Sequence, residues 1–189
     1  MSDRIYCYPD SDVLINKLNI RNSDRLQEAE RKLTMLRIHD LLETPLKGKF
    51  DFKHLKNIHG YIFQDIYSWA GNVRNVDIAK SNMFCKVQYI EEQASDLFGK
   101  LKLENYLNDL SREDFIRRAA YYFSEINALH PFREGNGRSQ REFIRELAFH
   151  QGYVVSFDNI SEREMLEASS DSFLCNYDKM IKLFDKVVH

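Results

Sequence analysis

Residues that form turns are scarce in this chain, which has seven glycines and three prolines among 189 residues. Sheet-rich folds need many turns, so this scarcity favours helices. Hydrophobic residues make up 43% of the chain and aromatic residues 13%. These contents argue against a disordered chain, which would have few aromatic side chains and a large net charge. The length suits one domain with a core of its own.

Cysteine is also rare and poorly placed for pairing. The three cysteines, Cys7, Cys85 and Cys175, are odd in number and far apart, without a CxxC pair. That distribution indicates reduced thiols in a cytosolic protein and not a disulfide framework. The first residues lack the apolar stretch of a secretory signal, and no run of about 18 apolar residues could span a membrane. We therefore expect a cytosolic protein with no membrane partner.

The chain has no large net charge of either sign. The 27 lysines and arginines nearly balance the 29 aspartates and glutamates, and the net charge is −2. Nucleic-acid-binding domains usually carry a basic surplus. The composition therefore argues against direct binding of DNA or RNA.

Apolar residues recur at helical spacing along most of the chain. The patterns predict a helix beginning at Ser161 and further helices over 24–42, 51–69, about 89–101, 111–129, 138–148 and about 176–188. Each of three pairs resembles a capping box at a helix start: Asp24 with Gln27, Ser111 with Asp114, and Ser161 with Glu164. Gly71 lies where the second helix would have its C-cap.

Residues 73–88 have a different pattern. Two short runs of β-prone residues surround a polar bend at Lys80, Ser81 and Asn82, which predicts a hairpin. Such a hairpin is too small to form a sheet by itself. The sequence therefore predicts an all-α helical bundle with one small inserted β-hairpin.

The segment 130–141, between two apolar helices, carries the candidate chemistry. Gly135, Asn136 and Gly137 lead directly into the second of these helices. The unpaired N–H groups at a helix start and the positive end of the helix dipole attract anions. Together with flexible glycines they form a nest suited to phosphate. Glycine and asparagine are also ordinary turn residues, so a simple helix–helix turn is the structural alternative.

Two arginines strengthen the case for phosphate. Arg138 and Arg141 lie three residues apart and Arg145 four further on, so that all three are expected to share one helix face. Cations in the first turn oppose the helix dipole. A bound polyphosphate would supply the missing negative charge. A solvated charged face is the alternative.

Three further side chains in this segment have candidate roles. Glu134 precedes the glycines, where a carboxylate beside phosphate would suit Mg²⁺, although it could equally cap the following helix. His130 is a candidate general base, since neutral imidazole accepts a proton near neutral pH; a histidine that caps the helix or packs in the core is the alternative. Phe132 is expected to point inward and anchor the loop.

These residues resemble the signature of a known family. The segment 130–141 fits the Fic-family pattern HxFx(D/E)GNGRxxR at every defined position. The resemblance extends from about Tyr8 to the C-terminus and includes the runs 66–71 and 124–130. It implies a single Fic domain over 1–189, with its core at about 51–155, its hairpin at about 73–88 and C-terminal helices at about 161–188.

The resemblance also implies an activity and the roles of individual residues. A Fic enzyme of this kind transfers AMP from ATP to a Ser, Thr or Tyr hydroxyl of a target protein. His130 would deprotonate that hydroxyl, and Glu134 would help bind Mg²⁺. The phosphates would be held by the remaining signature residues, Gly135, Asn136, Gly137, Arg138 and Arg141.

By the same resemblance, the hairpin is the family's flap. A segment of the target would lie there as an added strand, in register through main-chain hydrogen bonds. The residues expected to dock it are Lys80, Ser81, Asn82, Met83, Phe84 and Cys85.

Many Fic proteins are inhibited by a helix with the pattern Ser/Thr-x-x-x-Glu-Gly/Asn, whose glutamate pairs with the second signature arginine, here Arg141. This pattern is missing near either end of the sequence. The resemblance then implies a bacterial cytosolic toxin inhibited by a small separate antitoxin, with secretion into a host cell as an open alternative. Two other functions stay open: a transferase that uses another nucleotide or phosphate-containing donor, and a non-catalytic nucleotide-binding adaptor.

Overall fold

The computed structural model describes residues 3–79 and 83–189. Seven α-helices lie in these residues: α1 (Ser23–Glu43), α2 (Phe52–Phe63), α3 (Ile90–Leu103), α4 (Arg112–Leu129), α5 (Asn136–His150), α6 (Glu162–Ser172) and α7 (Asp178–Val187). Short 3₁₀ helices lie at Asp3–Tyr6, Val87–Tyr89 and Asn105–Leu107. The predicted all-α architecture is confirmed. None of these helices is both long and apolar enough to cross a membrane.

Helices α4 and α5 connect the parts of the bundle. α4 packs against α3, α5, α6 and α7, while α5 also packs against α2, which in turn contacts α1. The core side chains of α2, α4 and α5 include Ile58, Ile62, Ala119, Phe123, Phe143, Ile144 and Leu147. The segment that joins α4 to α5, which contains the candidate site, is therefore anchored at both ends in the core.

Side chains at the helix starts confirm two of the three predicted caps. Ser111 accepts a hydrogen bond from the N–H of Asp114 at 3.2 Å, and Ser161 forms a complete capping box with Glu164. The prediction for α1 is wrong, because its cap is Asn22, which accepts from the N–H of Arg25 at 3.0 Å. A cap residue must keep an extended backbone, as Asn22 does, whereas Asp24 already lies inside the helix.

Helix α2 ends at Phe63, earlier than the predicted Trp69, and Gly71 is not its C-cap. The chain continues in tight turns, in which the N–H groups of Ile66 and Tyr67 both donate to the Phe63 carbonyl at 3.0 Å. Ile66 and Tyr67 stay buried in these turns, so the apolar pattern outlasts the helix itself. Gly71 has a left-handed φ of 84° and begins the segment that leads to residues 73–79.

The described residues do not show the predicted hairpin as two paired strands. Between the two arms they form one isolated β-bridge, which joins Ala79 and Met83. One further hydrogen bond joins the N–H of Phe84 to the carbonyl of Ile78 at 3.4 Å. Lys80, Ser81 and Asn82, the predicted turn, lie outside the described residues. Both arms are instead hydrogen-bonded to the body of the protein, since Arg74 N–H donates to the Pro131 carbonyl and Cys85 N–H to the Ala128 carbonyl.

We expect the core around α5 to be sensitive to truncation. Phe143 is fully buried and contacts the rings of Phe50, His54 and Phe98. Phe143→Ala should lower the free energy of unfolding by roughly 3–5 kcal/mol, because it leaves a cavity. Phe149→Ala, on the same helix but at a side chain that is 63% exposed, should change it by about 0.5 kcal/mol or less. Urea unfolding measures both, and equal losses would contradict this placement of the core.

Candidate active site

The chain leaves α4 at His130. This residue adopts a left-handed backbone conformation (φ 45°, ψ 59°), and Pro131 after it disfavours continuation of the helix. Hydrogen bonds hold the backbone of His130 on both sides. Its N–H donates to the Ile126 carbonyl at 3.1 Å, and its own carbonyl accepts from Arg74 Nε at 2.8 Å. The half-buried imidazole is thereby positioned at the end of the helix.

The imidazole ring of His130 is stacked on Phe84, with ring centroids 3.7 Å apart and planes 14° from parallel. Phe84 belongs to the segment predicted as the flap. Its side chain is buried, so Phe84 covers one face of the imidazole and fixes the orientation of the ring.

Asn136 closes the loop that follows. Its side-chain oxygen accepts from the Phe132 N–H at 2.8 Å, and its side-chain nitrogen donates to the Phe132 carbonyl at 2.7 Å. The ring of Phe132 points into the core and stacks on His59 with centroids 3.8 Å apart. Asn136 was predicted among the phosphate ligands. Because its side chain is committed to the loop, a phosphate contact from this residue would have to come from its backbone N–H.

Helix α5 begins at Asn136, two residues before its predicted start. Gly135, the N-cap, has φ 81°, and a Cβ there would lie 2.1 Å from the Phe63 ring, so backbone and packing both require glycine. The first hydrogen bond of the helix joins Ser139 N–H to the Gly135 carbonyl at 3.1 Å. The earlier N–H groups of α5 therefore have no partner within the helix.

Arg138 points toward α1. Its guanidinium forms an ion pair with Glu30, donates to Thr34 Oγ1 at 3.2 Å, and lies over the Phe63 ring at 4.6 Å. Arg145 also reaches α1, where it donates to the Leu41 carbonyl at 3.1 Å. These two arginines share a face, as predicted.

Arg141 faces a different cavity from Arg138, although the two arginines are neighbours on the surface of the helix. A separation of three residues rotates a side chain by about 60° around the helix. Arg141 is partly buried, and this burial and the positive charge of Arg138 both lower the pKa of its guanidinium. Within residues 3–79 and 83–189, no carboxylate forms an ion pair with Arg141.

His130 and Arg141 line the same cavity, which has a volume of about 530 Å³. Its other walls come from Phe84, from Asn127 on α4 and from the segment 157–173, which includes α6. A separate cavity of about 470 Å³ lies toward α1 and is lined by Glu134, Arg138 and Glu30, among others. The loop 130–138 therefore lies between two cavities, with one signature arginine facing each.

Glu134 lies at the mouth of the loop with a side chain that is 44% exposed. Its carboxylate accepts from the Gly135 N–H at 2.8 Å and lies 3.5 Å from Arg138 Nη2. In the described part of the chain, no group of three or more His, Cys, Asp or Glu side chains could hold a metal ion. A metal at Glu134 would thus need most of its ligands from a bound substrate or from water.

The described flap residues differ in what they offer to a target. Met83 is 65% exposed, whereas Phe84 is turned inward onto His130. The N–H of Cys85 donates to the Ala128 carbonyl at 3.0 Å, so it is not available to an added strand. Docking by main-chain hydrogen bonds would have to use residues before Cys85.

Comparison with known proteins identifies the family. The sequence model of the Fic/DOC family matches residues 49–148, which include α2, α3, α4, all but the last two residues of α5, and the whole segment 130–141. The chain belongs to the Fic/DOC family.

Relatives of this Fic protein match over nearly all of its sequence. It is 42% identical to protein adenylyltransferase VbhT of Bartonella schoenbuchensis over 94% of this chain, but spans 37% of the length of VbhT. It is 39% identical to the probable protein adenylyltransferase Fic of Escherichia coli, over 97% of this chain and 91% of that protein. The crystal structure of BepC, a VirB-translocated effector of Bartonella tribocorum with bound AMPPNP, matches with a TM-score of 0.91 at 26% identity, covering 98% of this chain and 97% of that one.

The structure adds two residues to the Fic loop that the sequence did not single out. Arg74 is buried and contacts the carbonyl of His130, although it lies 56 positions away in the sequence. His59 is fully buried and packs against the loop. No motif or spacing marks either residue, because their role depends on contacts between distant segments.

His59 connects the loop to the turn at Gly71. Its Nδ1 accepts from the Gly71 N–H at 2.8 Å, so the ring proton lies on Nε2, which donates to the Glu134 carbonyl at 3.0 Å. The ring is stacked on Phe132 and on Phe63. Burial lowers the pKa of His59 to about 3, so the ring is neutral at physiological pH.

We expect the two hydrogen bonds of His59 to matter more than its stacking. His59→Phe keeps an aromatic ring but leaves the partly buried Gly71 N–H and Glu134 carbonyl without this partner, at a cost of up to about 1–3 kcal/mol each. His59→Gln keeps polar atoms in place and should cost less. Urea unfolding of both variants measures the difference. If the Phe variant proved as stable as the Gln variant, stacking alone would explain the position.

Proposed function

We propose that this chain is a protein adenylyltransferase that transfers AMP from ATP to a Ser, Thr or Tyr hydroxyl of a target protein, and that residues 1–189 form a single Fic domain. The observation that carries the proposal is that His130 and Arg141 line one cavity beside the glycine-bordered start of α5. The names of VbhT and of the E. coli relative support AMP transfer. The AMPPNP bound to BepC supports an adenine nucleotide as the donor.

The start of α5 is the proposed site for the phosphates. Its free N–H groups and helix dipole attract anions, and Arg141 supplies a positive charge that no carboxylate in the described residues neutralises. Gly137 is exposed, and the nearest atoms that a Cβ there would meet belong to Arg141, at an ordinary distance of 3.7 Å. Packing within the protein therefore does not require glycine at 137, whereas close approach of a phosphate to the backbone would.

Arg138 and Arg141 are proposed to hold the β- and γ-phosphates from two sides. The guanidinium group of arginine has five N–H donors, and those of Arg138 that do not contact Glu30 or Thr34 remain for phosphate oxygens. The nucleoside would occupy the cavity of about 530 Å³, a size typical of small-ligand sites. Its lining combines apolar side chains, such as Phe157 and Met165, with polar ones such as Ser169.

His130 is the proposed general base. Its imidazole takes the proton of the target hydroxyl, the hydroxyl oxygen forms a bond to the α-phosphorus, and the bond between that phosphorus and the bridging oxygen breaks. Pyrophosphate leaves with the bonding electrons, and the target carries AMP. The stacking on Phe84 and the hydrogen bond from Arg74 hold the base in place, so that most of the rate comes from positioning and electrostatics.

Mg²⁺ is proposed to bind at Glu134. A single exposed carboxylate beside a phosphate site fits this ion, which commonly takes one or two carboxylates and completes its shell with phosphate oxygens and water. When bound, the ion neutralises negative charge on the phosphates. The hydrogen bond from the Gly135 N–H orients the carboxylate for this role.

The target is proposed to dock along the flap, before Cys85. Met83 is exposed there, and Lys80, Ser81 and Asn82 complete the predicted docking segment. Phe84 and Cys85 have a different role from the docking residues, because Phe84 attaches the flap to His130 and Cys85 attaches it to α4. A target strand on this edge would present its hydroxyl to the imidazole.

We further propose that the chain acts in the bacterial cytosol as the toxin of a toxin–antitoxin pair. The inhibitory pattern is missing near either end of the sequence, and the lack of an ion pair at Arg141 within the described residues fits a glutamate supplied by another chain. Secretion into a host cell is the alternative, and the description of BepC as a translocated effector keeps it open.

The transfer reaction is tested with ATP labelled on the α-phosphate and a bacterial lysate as the source of targets. Wild-type protein should label lysate proteins or itself, and His130→Ala should label them at least roughly 100-fold more slowly, because a general base contributes that much or more. His150→Ala, at an exposed histidine at the end of α5, is the matched control and should label normally.

The same assay with ATP labelled on the γ-phosphate distinguishes AMP transfer from the alternative functions. Its incorporation would indicate phosphate transfer and contradict AMP transfer. Binding of AMPPNP in calorimetry without transfer from either label would indicate an adaptor. Equal labelling by His130→Ala and wild type would remove His130 as the base.

Expression of the chain alone in a bacterium tests the toxin proposal. Wild-type protein should slow growth, because no inhibitor is present, and His130→Ala at the same expression level should not. Growth curves after induction measure the effect. Normal growth with active, soluble wild-type protein would contradict the toxin role while leaving the transferase activity intact.

A further inference from the structure

Arg74 is a fully buried side chain, and its residue is 2% exposed. Burying a charged group is costly unless hydrogen bonds and an opposite charge compensate it. The one carboxylate in ion-pair range among the described residues is Asp77, at 3.9 Å and largely exposed. A well-packed apolar side chain would cost less at this position, so the guanidinium needs another explanation.

Three main-chain carbonyls surround the guanidinium of Arg74. Nε donates to the His130 carbonyl at 2.8 Å, Nη1 donates to the Val76 carbonyl at 2.6 Å, and Nη2 donates to the Cys85 carbonyl. Val76 lies before the tip of the flap and Cys85 lies after it. One side chain therefore joins both arms of the flap to the backbone of the proposed base.

The backbone around this side chain reinforces the connection. The N–H of Arg74 donates to the Pro131 carbonyl at 2.9 Å, directly after His130. Asp77 accepts from the Val87 N–H at 2.7 Å, which adds a further link between the two arms. The ring of Phe84, next to Cys85, is stacked on the imidazole. The described arms of the flap and the proposed base are thus joined to each other through Arg74.

We propose that Arg74 is a positioning residue that sets the distance and angle between a target held on the flap and the imidazole of His130. This inference rests on the proposed transferase function. Arg74 lies outside the residues that line the nucleotide cavity, so its role concerns the acceptor hydroxyl and not the binding of ATP. Its five N–H donors are spread over three nitrogens in a fixed plane, which matches three separate carbonyls, whereas the three donors of a lysine ammonium all radiate from one nitrogen.

The test compares Arg74→Met and Arg74→Lys with wild type. The rate of AMP incorporation from α-labelled ATP into lysate proteins, at saturating ATP, should fall by roughly 100-fold, as expected for a misplaced reacting group. The KM for ATP and the Kd for AMPPNP in calorimetry should stay unchanged. Arg118→Met is the control, because it removes a partly buried arginine of α4 that pairs with Glu104, away from the site, and it should retain the wild-type rate.

The imidazole signals of His130 in NMR provide a readout that needs no activity. They are assigned by their loss in His130→Ala, and they should shift in Arg74→Lys but not in Arg118→Met. If wild type transfers no AMP, the transferase proposal fails, and these signals still decide the placement of the ring.

Several results would overturn the role of Arg74. Wild-type rates in both Arg74 variants would do so, as would unmoved His130 signals. A parallel loss of AMPPNP binding, or failure of even the Lys variant to fold, would assign Arg74 a general structural role instead.

Discussion

The loop between α4 and α5 depends on the two hydrogen bonds between the Asn136 side chain and the backbone of Phe132. They close residues 132–136 into a compact turn. The side chain of Asn136, the first residue of α5, thereby holds the backbone of the loop that precedes the helix. With the loop closed, Phe132 enters the core against His59, and the N–H groups of α5 before Ser139 have no partner within the helix. An anion site made of backbone N–H groups needs this rigidity, because its donors cannot adjust like side chains.

Polar groups buried around the loop have a consistent arrangement. His59 and Arg74 each bind main-chain atoms of the loop and of the segment that leads to the flap. Buried polar groups contribute little to net stability, and they are costly when a partner is lost. Their contribution here is to position the chain, since each of these two side chains holds the loop and the segment before the flap next to each other.

The two signature arginines, Arg138 and Arg141, differ in whether nearby carboxylates compensate their positive charge. Arg138 is compensated by Glu30 and Glu134, whereas Arg141 has no ion pair with a carboxylate in the described residues and is affected by the charge of Arg138. The negative charge that would complete the site must therefore come from outside this part of the chain. The proposed nucleotide and the proposed inhibitory glutamate would each supply that charge, and they would compete for one guanidinium.

The sequence by itself determined the helical architecture, the caps at Ser111 and Ser161, and the composition of the segment 130–141, because periodicity, capping and a contiguous motif are local properties. It misplaced the end of α2, since Ile66 and Tyr67 are buried in turns as they would be in a helix. Only the tertiary structure decided that Arg138 and Arg141 line different cavities, that the Asn136 side chain braces the loop, and that Arg74 joins the flap to His130. These facts depend on which distant carbonyls and carboxylates lie within about 3 Å of a side chain, and no local pattern of residues records that.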